Sequence, residues 1–183
     1  LKVEKSIRPI IENTDTLKAL LNAPPNTKIG CRDVMILSVL FNTMIRADEL
    51  IKLNLQDVVI DSDIPFLKIH GKGGKERMAP LSAEAIPLIK VYLVEYHGQN
   101  PAKDSPFIYT IQHEQRNRMS ERNIERIVKK YADLIRDKHP DIPDRVYPHM
   151  LRRTHATGLY RDGVPVEAIA SVLGHASIQT TKD

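Results

Sequence analysis

Apolar residues in this chain keep a helical spacing, lose it over a short middle stretch, and then regain it. That double change of period limits the fold to a mainly helical body with one small sheet set into it. Met35, Ile36, Val39 and Leu40 recur at helical spacing inside the apolar run Asp33 to Met44, which predicts a core helix. Ahead of it, Thr14 or Asp15 is predicted to cap a short helix carrying Leu17, Leu20 and Leu21, ended by Pro24 and Pro25. A further helix from about Arg46 to Leu53 would turn Leu50 and Leu53 inward. The period then changes: 58–60, 66–69 and 77–79 read as strands, with turns at 61–63 and at the glycine-rich 71–75. These make a three-stranded antiparallel sheet.

Downstream the helical period returns. Ser82 is predicted to cap a helix running to Tyr96, with Pro87 forcing a kink or a later start. Ser120 caps another, whose Ile124, Ile127, Val128, Tyr131 and Ile135 form an apolar stripe. Pro148 opens a helix over 149–160, a favoured first-turn position for proline. A short helix over 166–173 closes at Gly174, and Ser177 looks like the cap of one more. The fold class predicted is therefore α+β, mainly α-helical, with one small antiparallel sheet. Residues 1–12 read as a linker or domain start and 13–183 as one domain, a length sufficient to bury a core.

Composition excludes several classes. The single Cys31 rules out an internal disulfide framework. No apolar run approaches the ~20 residues of a membrane span, and no signal peptide is visible. The net charge of +4 is a mild basic excess, compatible with a nucleic-acid partner and with many others. No His pair stands at metal-ligand spacing with a carboxylate nearby, so no metal is expected.

Chemistry concentrates in four places. His149 and Arg152, three apart near a helix start, share a face where backbone N–H groups and the helix dipole favour an anion such as phosphate. A solvated His–Arg face would have the same spacing. Arg46 follows a core helix and can be braced by Glu49, either as a plain ion pair or with a phosphate on its other side. Lys72 sits among glycines in a hairpin turn, unshielded and able to swing to a ligand or simply solvated. His175 follows Leu173-Gly174, placed to stabilise a helix end or to donate to an anion.

In their order these elements resemble the catalytic domain of the tyrosine recombinases, the phage-integrase family. The matching segments are Arg46 in Thr43-Met44-Ile45-Arg46-Ala47-Asp48-Glu49-Leu50, Lys72 in Gly71-Lys72-Gly73-Gly74-Lys75, His149 and Arg152 in Pro148-His149-Met150-Leu151-Arg152, and His175 after Leu173-Gly174. The likeness covers about Leu17 to Asp183. It implies site-specific DNA recombination or integration, by strand cleavage and rejoining through a 3′-phosphotyrosyl intermediate. In that scheme Arg46 and Arg152 grip the scissile phosphate, Lys72 protonates the leaving 5′-oxygen, His149 works as acid–base on the nucleophile, and His175 hydrogen-bonds the phosphate. No cofactor is implied. The implied partner is double-stranded DNA, bound by a homotetramer in the full-length protein, in the cytoplasm (at the nucleoid) of a bacterium or on a phage or mobile element. Lys75, Arg116, Arg118 and Arg153 are further candidate DNA contacts.

The sequence departs from the family pattern in two ways. Met44 stands where the family often has glycine. The nucleophilic tyrosine belongs, by family spacing, just after Asp183, and all six tyrosines present lie upstream. The expectation is a catalytic domain cut from a longer protein, without the N-terminal DNA-clamping domain or the C-terminal tail, monomeric alone and inactive in cleavage. The alternative is a non-catalytic DNA-binding or regulatory relative of the same fold.

Overall fold

The computed structural model describes residues 8–174. Its centre is helix α2 (Lys28–Thr43), which packs against α1 (Thr14–Leu21), α4 (Ala85–His97), α5 (Glu121–Ile135) and α6 (Pro148–Arg161). Met35, Ile36, Leu37, Val39 and Leu40 of α2 are all buried, so the helix is apolar almost all round, as a central helix must be. Each such side chain contributes about 1.5–3 kcal/mol on removal from water. The polar groups sealed in with them are paired: the Tyr131 hydroxyl donates to Asp33 at 2.8 Å, and Arg32 donates to the same carboxylate at 2.8 and 2.9 Å.

Local chemistry sets the helix ends. Asn13, not Thr14 or Asp15, caps α1: it is extended, and its Oδ1 accepts from Asp15 N at 2.8 Å. Thr27 caps α2 through a bond from Gly30 N at 3.0 Å. Ser120 caps α5 with Asn123 reaching back to it, and the predicted stripe is the buried face. Pro87 produces the later start rather than a kink, because α4 begins at Ala85 and the proline falls in the first turn, where its missing N–H is not needed.

Strands β1 (Val58–Val59), β2 (Phe66–His70) and β3 (Glu76–Pro80) form the predicted antiparallel sheet in that order. Leu67, Ile69 and Ala79 face the core, and Lys68 and Met78 face outward. A second hairpin, β4 (Tyr109–Gln112) and β5 (Gln115–Arg118), has no counterpart in the sequence reading. Beyond Tyr109 it is largely exposed and polar apart from Ile111, and its turn places His113 and Glu114 at φ +50° and +63° without a glycine. It therefore lacks both the alternation and the turn residues that betray a hairpin.

Two short elements complete the fold around one corner: α3 (Ala47–Lys52) and α7 (Val166–Leu173). Met44, Ile169 and Leu173 form a small separate core there, with Ala156, Leu159, Val164 and Val172 against it. This cluster holds α7 against α6 and against the corner between α2 and α3. No described helix is long and apolar enough to cross a membrane.

Candidate active site

The corner between α2 and α3 is built on an unusual backbone. Met44 ends α2 in the left-handed region at φ +53°, ψ +22°. A side chain there costs roughly 1–2 kcal/mol, which explains why glycine suits this position. The chain then extends through Arg46, which is the N-cap of α3. Glu49 closes that first turn: its Oε2 accepts from Arg46 N at 2.8 Å and its Oε1 from Arg46 Nη2 at 3.2 Å. Glu49 is 6% exposed, while the Arg46 side chain is 46% exposed. The carboxylate is thus the fixed part and the guanidinium the presented part. Glu49 thus pairs with both the backbone and the side chain of Arg46.

Arg152 comes to the same corner from α6. It is 5% exposed. Its Nη1 donates to the Met44 carbonyl and its Nη2 to the Leu173 carbonyl at 2.7 Å. Those oxygens lie at the C-terminal ends of α2 and α7, where unspent carbonyls and helix dipoles favour a cation. A buried guanidinium is tolerated for that reason. Burial nevertheless lowers its pKa to about 10, with the Arg46 and Arg77 charges acting in the same direction and Glu49 opposing them. Arg152 therefore remains charged at neutral pH.

His149, second residue of α6, lies one turn before Arg152. Its residue surface is exposed, yet the ring is flanked closely enough that partial burial holds its pKa below the usual histidine value. The positive charges of Arg152, Arg153, Arg46 and Arg8 push the same way. The imidazole is accordingly neutral at pH 7 and able to accept a proton.

The sequence reading missed Arg77. Its Nη2 donates to Glu49 Oε2 at 2.8 Å, opposite the Arg46 contact. Glu49 is therefore held between two arginines. Arg77 is one residue out of step with the exposed positions of β3 and shares the inward face with buried Ala79. A charge on a core-facing strand position was the available signal.

Arg46, Glu49, His149 and Arg152 thus converge, from α3 and α6, on one positively charged corner. Beside it lies an open depression of about 440 Å³ lined by Arg46, Asp48, Glu49, Lys52, His70 and Gly71. The backbone places Lys72 next to that wall, in a turn over Lys72–Gly74 in which Gly73 and Gly74 both take φ +74°. The Lys72 side chain lies outside the description. His175 and Ser177 lie outside the described residues, although Gly174, the left-handed cap that ends α7, is within them.

The remaining candidates are placed as follows. Lys75 is exposed just after the turn. Arg116 lies over the Tyr109 ring at 4.8 Å. Arg118 donates to the Ile51 and Leu53 carbonyls at 2.8 and 3.0 Å, closing the end of α3. Arg153 donates to the Pro9 carbonyl at 3.0 Å and to the Tyr147 hydroxyl at 2.7 Å. Among the described residues no group of three or more His, Cys, Asp or Glu is placed to hold a metal ion.

Residues 13–183 match the model of the phage integrase family. The chain is 35% identical over 181 residues to the tyrosine recombinase XerC of Natranaerobius thermophilus, and covers 57% of that protein with 95% of its own length. It is 31% identical to the tyrosine recombinase XerA of Thermococcus onnurineus, covering 59% of it with 99% of its own length. The crystal structure of a XerA recombinase superposes with a TM-score of 0.78 at 29% identity, over 97% of this chain and 59% of that one. A XerH site-specific recombinase bound to a palindromic difH substrate in a post-cleavage complex shares the fold, with a TM-score of 0.74 at 23% identity, over 95% of this chain and 48% of that one. The chain spans a little over half the length of the two sequence relatives.

Proposed function

The chain belongs to the phage integrase family of tyrosine recombinases, and on that premise we propose that it carries out site-specific DNA recombination by cutting and rejoining strands. The observation that carries the reading is the convergence of Arg46, His149 and Arg152 on one corner, with Glu49 fixing the first of them. Two guanidiniums within reach of each other's charge, one half-exposed and one buried, suit the non-bridging oxygens of a phosphodiester and the extra charge they gain in the transition state. His149, kept neutral by burial and by its arginine neighbours, accepts the proton of an attacking hydroxyl. The attacking group in this proposal is a tyrosine just beyond Asp183. Lys72 delivers a proton to the leaving 5′-oxygen and His175 donates a hydrogen bond to the phosphate. A 3′-phosphotyrosyl bond forms as the 5′-oxygen leaves. A 5′-hydroxyl then attacks that bond and releases the tyrosine. The proposed partner is double-stranded DNA, with a homotetramer on the recombination site.

The test uses the protein extended past Asp183 through the tyrosine, together with any preceding DNA-binding domain, on nicked duplexes selected from a randomised pool. A covalent protein–DNA adduct joined through tyrosine is expected. Sequence-selective binding with no adduct on any duplex would instead favour a non-catalytic relative.

A further inference from the structure

Arg77 stands at this corner without a part in the proposed chemistry. Its side chain is 20% exposed, and its three nitrogens are committed unequally. Nη2 is spent on Glu49 Oε2 at 2.8 Å. Nε lies under Gly174, so close that a Cβ on that residue would stand 2.5 Å from it. Nη1 is buried and has no hydrogen-bond partner among the described residues. A cation that leaves a buried donor unspent is a poor device for stability alone. Its position is informative. Glu49 has two oxygens and three donors: Oε2 is shared by Arg46 N and Arg77 Nη2, and that sharing leaves Oε1 aimed at Arg46 Nη2. The same guanidinium fills the space beneath the turn that leads from α7 towards His175.

We propose that Arg77 is a positioning residue, which locks the Glu49 carboxylate so that Arg46 is held in its phosphate-gripping orientation and which sets the height of the Gly174 turn. The proposal rests on the recombinase reading for its consequence in catalysis, but its geometry is testable without DNA. Arg77 touches no reacting atom. It acts through Glu49 on one side and through Gly174 on the other. It thereby links three segments, β3, α3 and the end of α7, that are distant in the chain.

The first readout is the side-chain mobility of Arg46, measured by 15N relaxation at its Nε in the 183-residue chain. In the unaltered chain this group should be ordered. In Arg77→Met, which keeps most of the side-chain volume, the order parameter should fall towards the mobile range, below about 0.6. Arg77→Lys, which keeps a cation for Glu49, should lie between the two. The second readout is single-turnover cleavage by the extended protein. Arg77→Met should slow it by about 100-fold, the scale of a misplaced catalytic group, with DNA affinity unchanged and Arg77→Lys recovering part of the rate. Arg46→Gln serves as the control. A folded Arg77→Met chain with unchanged Arg46 mobility would overturn the proposal. So would wild-type cleavage by Arg77→Met where Arg46→Gln is dead. Should Arg77→Met not fold, a Lys variant matching wild type in both readouts overturns it equally. Wild-type cleavage by Arg46→Gln itself would instead defeat the recombinase assignment, and the relaxation measurement would still decide the role of Arg77.

Discussion

Replacing Glu49 by alanine removes the acceptor on which the corner depends. The carboxylate takes three hydrogen bonds, from Arg46 N, Arg46 Nη2 and Arg77 Nη2. They do not weigh equally. The backbone bond acts as a first-turn cap and contributes about 1 kcal/mol. The Arg46 side chain is half in solvent, so its pair falls in the surface range of about 0–1 kcal/mol. Arg77 is mostly buried, and a charge-assisted bond there is worth about 1.5–3 kcal/mol. Removing the carboxylate that pairs with Arg77 also leaves it near Arg46 and Arg152 with less compensation. The expected loss for Glu49→Ala is about 3–4 kcal/mol. For a chain of 183 residues that lowers the melting temperature by about 10 °C. Glu49→Gln keeps the volume and one acceptor, but must turn an NH₂ towards an arginine, and should lose about half as much. Urea unfolding followed by circular dichroism at pH 7 measures both, with an unchanged slope confirming that only stability moved. A Glu49→Ala loss under about 0.5 kcal/mol, or a Gln variant less stable than the Ala variant, would refute the brace.

Met44→Gly relieves about 1–2 kcal/mol of left-handed strain but deletes a buried side chain, whose packing is worth about 2–5 kcal/mol; the variant should be less stable in urea despite restoring the residue preferred at this turn. Gly174→Ala should cost about 2 kcal/mol or more, because φ +67° disfavours a side chain and the new Cβ would press on Arg77. His97 is buried against the Phe107 carbonyl, and burial holds its pKa below the ordinary value; His149 is lowered as well. The unfolded chain therefore takes up protons first. The stability from these two groups is complete above about pH 6.5 and is lost as the pH falls through their folded-state values. Stability curves from pH 8 to pH 5 should show this slope, and His97→Gln should flatten it.

The legibility of the fold followed the physics of each element. The α5 stripe was readable because Ile124, Ile127, Val128, Tyr131 and Ile135 are all buried on one face. The β2–β3 pair was readable because Leu67, Ile69 and Ala79 alternate inward on either side of a glycine-rich turn. Hairpin β4–β5 was not, because its second strand buries nothing and its turn uses His and Glu at positive φ. The first cap was misplaced by one or two residues because Asn13, Thr14 and Asp15 all carry a capping oxygen, and only the backbone decides between them. In the candidate site, Arg46, Glu49, His149 and Arg152 were singled out from motif order, and the structure brings them to one corner. Arg77 was not, because the carboxylate that gives it meaning lies on α3, far upstream in the chain. The demand that Met44 places on the backbone was visible in sequence only as a departure from a pattern; the structure supplies its cause, a left-handed turn whose carbonyl receives Arg152.

The central claim is that Arg46 and Arg152 act on one phosphate as a unit. A double-mutant cycle on single-turnover DNA cleavage by the extended protein tests it most directly, with Arg46→Gln, Arg152→Gln and the pair. Each single change should slow cleavage by about 10²–10³, and the pair should be little slower than the worse single, because groups acting together on one transition state do not contribute additively. A double variant slowed by the product of the two single effects would contradict the shared phosphate.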